Sequence, residues 1–281
     1  MAKISVTPEE FNQFSKYILD ISGISLGSGK EYLLETRLNP LINQYGCSSF
    51  LQLYQKAKRD FKKTIETEII DAISTNETYF FRDKSPFELL KNKILPDLID
   101  KRKRQNPALK PAIRLWSAAS STGQEIYSIA MAMIEMGISS DQYHIRLFGS
   151  DISDAAIAKA SYGLYNKFEV ARGLDLNRLN KFFDKQQDDN YKIKDEVRFM
   201  AQFKKMNLTK PFIGVGKFDI ILCRNVMIYF TSQDRKRIYQ NISKALEPDG
   251  YMMIGSTESL ANDTDLFVSQ KYLNSVFYQC K

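Results

Sequence analysis

Arg224, Asn225 and Tyr229 are the side chains best placed to do chemistry. They stand in Asp219-Ile-Ile-Leu-Cys-Arg-Asn-Val-Met-Ile-Tyr-Phe230, where a buried-strand pattern runs without a break into a polar pair. In an open α/β sheet, ligands bind beyond the carboxyl ends of the strands, so a cofactor and a reacting group would meet at these three residues. Two more segments repeat the design: Ile113 to Glu125 reads as strand, small-residue turn and helix start, and His144 to Asp151 as a strand ending in a carboxylate. The turn, Ser117-Ala-Ala-Ser-Ser-Thr-Gly123, has a single glycine, too few for backbone to approach a pyrophosphate. Glu125 at the helix start would repel phosphate and attract an ammonium group. Asp151 is positioned to accept hydrogen bonds from ribose hydroxyls. A ligand with an amino-acid end, a ribose end and no phosphate is S-adenosylmethionine. Each carboxylate alone could be an ordinary first-turn Glu or an N-capping Asp, but their pairing at adjacent strand ends favours the ligand.

These strand ends need a scaffold. From about residue 112 strand and helix patterns alternate, which predicts a mostly parallel sheet covered on both faces. Strands are expected near 112–119, 144–151, 218–224 and 250–256, and helices near 123–137, 153–161 and 232–247. The stretch 163–206 breaks the rhythm with a polar helix (Asp175 to Phe183), a turn-prone Gln186-Gln-Asp-Asp-Asn190 and two alternating runs, Tyr191 to Lys194 and Glu196 to Phe203; it reads as a small antiparallel β-subdomain. Phe267 to Tyr278 suggests a closing hairpin around Asn274-Ser275. Residues 1–75 read as a small helical bundle. Thr7-Pro8-Glu9-Glu10 is a capping box with Pro at the first helical position, and Pro40 is expected to kink or shorten the second helix. Residues 76–111 then form a linker, and 112–281 the sheet domain.

Composition narrows the classes. The 281 residues are 43% hydrophobic and carry a net charge of +7. No long apolar run or signal-peptide core is present, so a cytoplasmic protein without membrane insertion is expected. Cys47, Cys223 and Cys280 are odd in number and widely spaced, which argues against a disulfide framework and against a metal site. The one histidine, His144, opens a strand, so catalysis must manage without histidine. Two basic runs, Lys56 to Lys63 and Lys101-Arg-Lys-Arg104, read either as solvated faces or as docking sites for an acidic partner. No nucleic-acid-binding module is recognisable, and no nucleic-acid partner is expected.

The linker opens with Asn76-Glu-Thr-Tyr-Phe-Phe-Arg-Asp83, unusually aromatic for a connection. This segment, Trp116 to Met131, Gly149-Ser-Asp-Ile-Ser-Asp154, Cys223 to Phe230 and Gly255-Ser-Thr-Glu-Ser259 resemble, in order and spacing, the chemotaxis receptor methyltransferase family, CheR; Lys30 to Leu41 extends the likeness into the helical region. The resemblance implies a class I, Rossmann-like methyltransferase domain behind the bundle. It also implies transfer of a methyl group from S-adenosylmethionine to glutamate side chains of the cytoplasmic domain of chemoreceptors, leaving S-adenosylhomocysteine. Carried across, the cofactor contacts are Asn76, Thr78, Arg82, Glu125, Asp151, Asn207, Leu208, Arg224 and Asn225, and Arg82 and Tyr229 flank the transferred methyl. A glutamate is ionised at neutral pH and needs no general base, so the want of a usable histidine is no obstacle.

Two departures shape the expectations. Gln124-Glu125-Ile126 stands where the family commonly has Glu-Glu-Pro. In some members the β-subdomain grips a receptor C-terminal pentapeptide through a glycine-rich loop, whereas Asp184 to Asn190 here is short and contains no glycine. Receptor recognition independent of that tail is therefore expected, by a monomer. A rival reading keeps the cofactor but makes the chain a regulatory binding module without turnover; intact Arg82 and Tyr229 speak against it.

Overall fold

The structure, a computed structural model, describes residues 4–273 and 275–281. Four helices form the N-terminal unit: α1 (Pro8–Ser22), α2 (Glu31–Gln44), α3 (Phe50–Arg59) and α4 (Thr64–Ile73). The Thr7 hydroxyl accepts from the Glu10 amide while the Glu10 carboxylate accepts from Thr7, and α1 ends at Gly23 with φ +81°. Phe14, Ile18, Leu34, Leu38, Phe50, Leu53 and Ile69 fill its core. Helix α2 continues past Pro40 to Gln44, so the proline does not shorten it.

The linker is more than a connection. Ser85–Leu89 (α5), a π-helical segment at Leu90–Ile94 and Leu95–Gln105 (α6) make one helical stretch. Pro96 lacks an N–H and its ring would crowd the carbonyl one turn back; the chain widens there, with the Leu95 amide bonding the Leu90 carbonyl. Leu89, Leu90, Ile94, Leu95 and Leu98 are buried against the sheet. Arg102, in the second basic run, is no docking group: it donates to the buried Asp219 and to Asp249, and Lys101 also pairs with Asp249.

The remaining elements follow in order: β1 (Ala112–Ala118), α7 (Gln124–Glu135), β2 (His144–Asp151), α8 (Asp154–Tyr162), β3 (Leu164–Asn166), α9 (Lys167–Ala171), α10 (Leu176–Phe182), β4 (Phe183–Lys185), β5 (Asn190–Ile193), α11 (Asp195–Arg198), β6 (Ala201–Lys205), β7 (Phe218–Cys223), α12 (Ser232–Ala245), β8 (Leu246–Ile254), β9 (Phe267–Tyr272) and β10 (Ser275–Cys280). The main sheet has the order β6-β2-β1-β7-β8-β10-β9, with the first five strands parallel. Every residue of β7 is buried, as a central parallel strand covered on both faces requires. The chain leaves β1 in one direction for β2 and β6, and returns to lay β7 and β8 on the other side. That reversal between β1 and β7 is the place where open sheets bind ligands.

The antiparallel excursion is the sheet β3-β5-β4. Of Tyr191 to Lys194 the first three residues lie in β5, but Glu196 to Phe203 does not join it: its first residues lie in α11 and its last in β6, which pairs in parallel with β2 at the edge of the main sheet. The Phe267–Tyr278 region is a hairpin as expected; Asn274, at its turn, lies outside the described residues. No helix among the described residues is long and apolar enough to cross a membrane.

Candidate functional site

A cleft of about 1200 Å³, including its open mouth, lies between the helical unit and the carboxyl ends of β1, β2 and β7. Its walls are the end of α1 and the loop into α2, the Asn76–Arg82 segment, the turn after β1, and the loops after β2, β6 and β7. Asn76, Thr78, Arg82, Glu125, Asp151, Asn207, Leu208, Arg224, Asn225 and Tyr229 all line it, so five stretches far apart in sequence converge on one space.

Arg224 is the best-fixed charge there, its side chain 2% exposed. Its Nη1 donates to Glu125 Oε2 at 2.5 Å, and its Nη2 to Asp83 Oδ2 at 3.0 Å and to the Arg82 carbonyl at 3.1 Å. The Ser117 hydroxyl occupies the other Glu125 oxygen at 2.7 Å. Glu125 is thus not a lone carboxylate waiting for a cation. It is one arm of a triad that ties the β1 turn, β7 and the Asn76–Asp83 segment together. Asp83 was not singled out by sequence reasoning, although it closes the aromatic segment beside Arg82.

Asp151 ends β2 and is 7% exposed. Its two oxygens accept the backbone N–H groups of Ser121 at 2.9 Å and Ser153 at 3.0 Å. Helix α8 is capped by Ser153 instead, whose hydroxyl accepts from the Ala156 amide. Burial raises the Asp151 carboxyl above its ordinary value, opposed by the backbone donors and reinforced by Asp71 nearby. Asp71 belongs to α4 and accepts from the Ser153 hydroxyl at 2.7 Å, so the helical unit reaches into the turn behind Asp151. Asn207 folds onto its own turn, accepting from the Thr209 amide, and donates to the Ile21 carbonyl at 3.3 Å. Leu208 is buried in the apolar cluster under the loop.

The backbone around the cleft is strained. Ala119, Ser121 and Asn225 line it with φ of +62°, +50° and +57°, and Phe81 and Asp83 adopt +53° and +54° beside it. Such conformations persist only where surroundings impose them, and they gather at functional sites. At Asn225 the constraint is Glu258, whose carboxylate accepts four amides: those of Asn225 and Gly255 at 2.7 Å, Met227 at 3.1 Å and Val226 at 3.2 Å. A Cβ at Gly255 would stand 2.7 Å from that carboxylate. Glu258 had no role legible in the Gly255–Ser259 motif; its place just beyond the strand next to β7 was the available signal. Tyr229 is half-buried, and its carbonyl accepts the Ser25 amide from the helical unit at 2.8 Å. Arg82 donates to the Glu77 carbonyl at 2.9 Å and lies over the Tyr79 ring.

The donor set suits S-adenosylmethionine. A carboxylate at one strand end and an Arg–Glu pair at its neighbours match a ribose and an amino-acid group. Two buried polar atoms without a protein partner, Ser120 Oγ and Arg224 Nε, belong to residues lining the cleft.

Comparison with known proteins agrees. Residues 9–74 match the CheR methyltransferase all-alpha domain, and residues 76–274 match the CheR methyltransferase SAM binding domain. The chain is 36% identical over 275 residues to chemotaxis protein methyltransferase Cher2 of Pseudomonas putida, covering 97% of this chain and 98% of that one. It is 34% identical to a chemotaxis protein methyltransferase of Vibrio parahaemolyticus, covering 100% of each chain. Chemotaxis protein methyltransferase 1 of Pseudomonas aeruginosa is also 34% identical, over 99% of this chain and 100% of its own length. A helical unit, a parallel-stranded domain that binds S-adenosylmethionine, and end-to-end likeness to these relatives make the chain a member of the CheR methyltransferase family.

Proposed function

We propose that the chain transfers the methyl group of S-adenosylmethionine to glutamate side chains in the cytoplasmic domain of chemoreceptors. The observation that carries this reading is the convergence of Asp151, the Glu125–Arg224 pair, Arg82 and Tyr229 on one cleft. In this reading Asp151 holds the ribose, Glu125 and Arg224 the amino-acid end, and Asn76, Thr78, Asn207, Leu208 and Asn225 the remaining contour. When bound, the cofactor supplies a sulfonium methyl group: the glutamate oxygen bonds the methyl carbon as the carbon–sulfur bond breaks, and the electron pair leaves with sulfur. No proton is transferred. The protein's part is to align the three atoms and to replace water around the carboxylate with fixed donors, Arg82 and Tyr229. Incubation with labelled cofactor and receptor fragments should give label released as methanol by base. Label that survives base would rule out a methyl ester.

Three results should follow. Asp151→Ala should weaken S-adenosylhomocysteine binding by roughly tenfold or more, the scale of a lost charge-assisted hydrogen-bond pair. Because burial raises the Asp151 carboxyl, it takes up a proton at a higher pH than an ordinary aspartate. Wild-type affinity should accordingly fall on acidification, beginning at a higher pH than an ordinary aspartate would dictate, a fall the variant lacks. Calorimetry showing equal affinity and equal pH dependence in the folded variant would remove Asp151 from the ribose site.

Tyr229→Phe should lower turnover at saturating substrate by about a hundredfold, the lower range for loss of one catalytic donor, with little change in folding. Wild-type turnover would make Tyr229 a packing aromatic.

Receptor docking is assigned to the helical unit. Lys56, Lys58, Arg59, Lys62 and Lys63 occupy the end of α3 and the turn into α4, around a fully exposed Phe61. Lys58 lies over the Tyr17 ring and Lys63 pairs with Glu66, so part of this charge is already engaged. Residues 184–190 form a tight β4–β5 turn with Asp188 and Asp189 at positive φ. Methylation of a tail-less receptor fragment should match that of the full fragment and weaken as salt rises, since exposed charges are screened over about 8 Å at physiological ionic strength. Micromolar binding of the tail pentapeptide, with a tail-less fragment left unmethylated, would reverse the assignment.

A further inference from the structure

Arg172 lies outside every segment so far assigned a role, yet it contacts two residues that line the cleft, Glu77 and Tyr79. Its guanidinium sits 4.3 Å from the centroid of the Tyr79 ring, over which Arg82 also lies at 5.8 Å. Its Nη1 is 2.5 Å from Glu77 Oε1, while Arg82 holds the Glu77 backbone carbonyl. Two guanidinium groups, one from the Asn76–Arg82 segment and one from the excursion, are therefore gathered around Glu77 and Tyr79, both of which line the cleft.

The backbone beneath Arg172 is fastened on both sides. Val170 is 1% exposed in the core beneath the sheet. Gly173 has φ +100°, and a Cβ there would lie 1.8 Å from the Phe80 carbonyl oxygen. Only glycine permits both that conformation and that approach. The side chain itself is open: Arg172 and Glu77 are 53% and 57% exposed. A cation with a rigid base and a solvated head, beside a reaction mouth, suits an anion that comes and goes.

We infer that Arg172, together with Arg82, is the clamp for the carboxylate side chain of the incoming substrate, and that Glu77 is its resident competitor. The inference rests on the proposed methylation of glutamate and extends it to recognition. An exposed ion pair has little net stability, so the Glu77–Arg172 contact yields readily to a second carboxylate. The geometry also gives release a direction. The acceptor arrives as an anion and leaves as a neutral ester, which can no longer hold a guanidinium against Glu77. Arg172 then returns to Glu77 and the product is let go.

The two residues should act with opposite sign. The measurement is calorimetric titration of the S-adenosylhomocysteine-loaded protein with two versions of a chemoreceptor cytoplasmic fragment, one with glutamate and one with glutamine at the acceptor positions. Wild type should prefer the glutamate form. Arg172→Ala should bind that form roughly tenfold more weakly and lose the preference, with S-adenosylhomocysteine affinity unchanged. Glu77→Gln should bind it about threefold more tightly, because the competitor is gone. The idea is overturned if wild type does not bind or does not discriminate, if Arg172→Ala keeps the preference, or if Glu77→Gln binds more weakly. Base-labile labelling by the wild type reports separately on the methylation reading, so a failed clamp and a failed activity give different results.

Discussion

Asp219→Ala is expected to destabilise the protein by about 3–5 kcal/mol, the cost of removing one partner from a buried ion network. Asp219 is 0% exposed. One oxygen accepts Arg102 Nη2 at 2.7 Å and Arg114 Nη2 at 3.0 Å; the other accepts the Arg114 amide and Nε at 2.9 and 3.0 Å. With the carboxylate gone, two partly buried guanidinium groups at the amino end of β7 lose their main counter-charge. The carboxylates left to Arg102 and Arg114 are Asp249 and Glu247, which are partly exposed. The cofactor cleft is at the other end of the strand, so the folded fraction should bind S-adenosylhomocysteine as wild type does. Urea unfolding followed by calorimetry separates the two effects. A loss under about 1 kcal/mol would show that the network is dispensable.

Arg224→Ala, five residues along, should reverse the balance. Its partners Glu125 and Asp83 are 15% and 28% exposed and can rehydrate, which puts the stability loss nearer 1–3 kcal/mol, the range for leaving buried acceptors unmatched. Cofactor affinity should fall by about a hundredfold or more. The variant both removes a donor and releases two carboxylates that then repel each other and the carboxylate of the ligand. It also frees the Arg82 carbonyl, loosening the segment that carries Arg82. A folded Arg224→Ala protein with wild-type affinity would mean that the triad is scaffold only.

The contrast between these two positions explains what the sequence could disclose. Strand ends were legible because β1, β2 and β7 are covered on both faces, so a polar residue breaking their apolar runs stands out. Every residue proposed for the cleft came from such a break or from the resemblance, and the fold gathers them. What could not be read is pairing between distant segments. Glu258 meets the Asn225 loop, Asp71 meets Ser153, and Asp83 meets Arg224 only because topology brings them there. Asp219 read as the start of an apolar strand, not as an anchor for Arg102, which is 117 residues away. Local patterns misled twice more. Period-two alternation from Glu196 to Phe203 masked a helical turn followed by a strand of the main sheet. Charge in the linker drew attention from Phe87, Leu90, Ile94 and Leu98, whose spacing is that of a helix on a core.

The cleft between the helical unit and the strand ends also bears on how the chain comes apart. Hydrogen bonds across that boundary near the site include Ser153 to Asp71, Asn207 to the Ile21 carbonyl, and Ser25 to the Tyr229 carbonyl, and Gly23 packs closely on Thr209 and the Phe230 ring. Each unit has its own apolar core. Residues of both units line the cleft, and a ligand that touched both would be bound only while both were folded, adding about 2.7 kcal/mol to the joint state at a hundred times its dissociation constant. Cofactor supply should thereby raise the unfolding cooperativity of the whole chain, with the two units melting closer together as ligand becomes abundant.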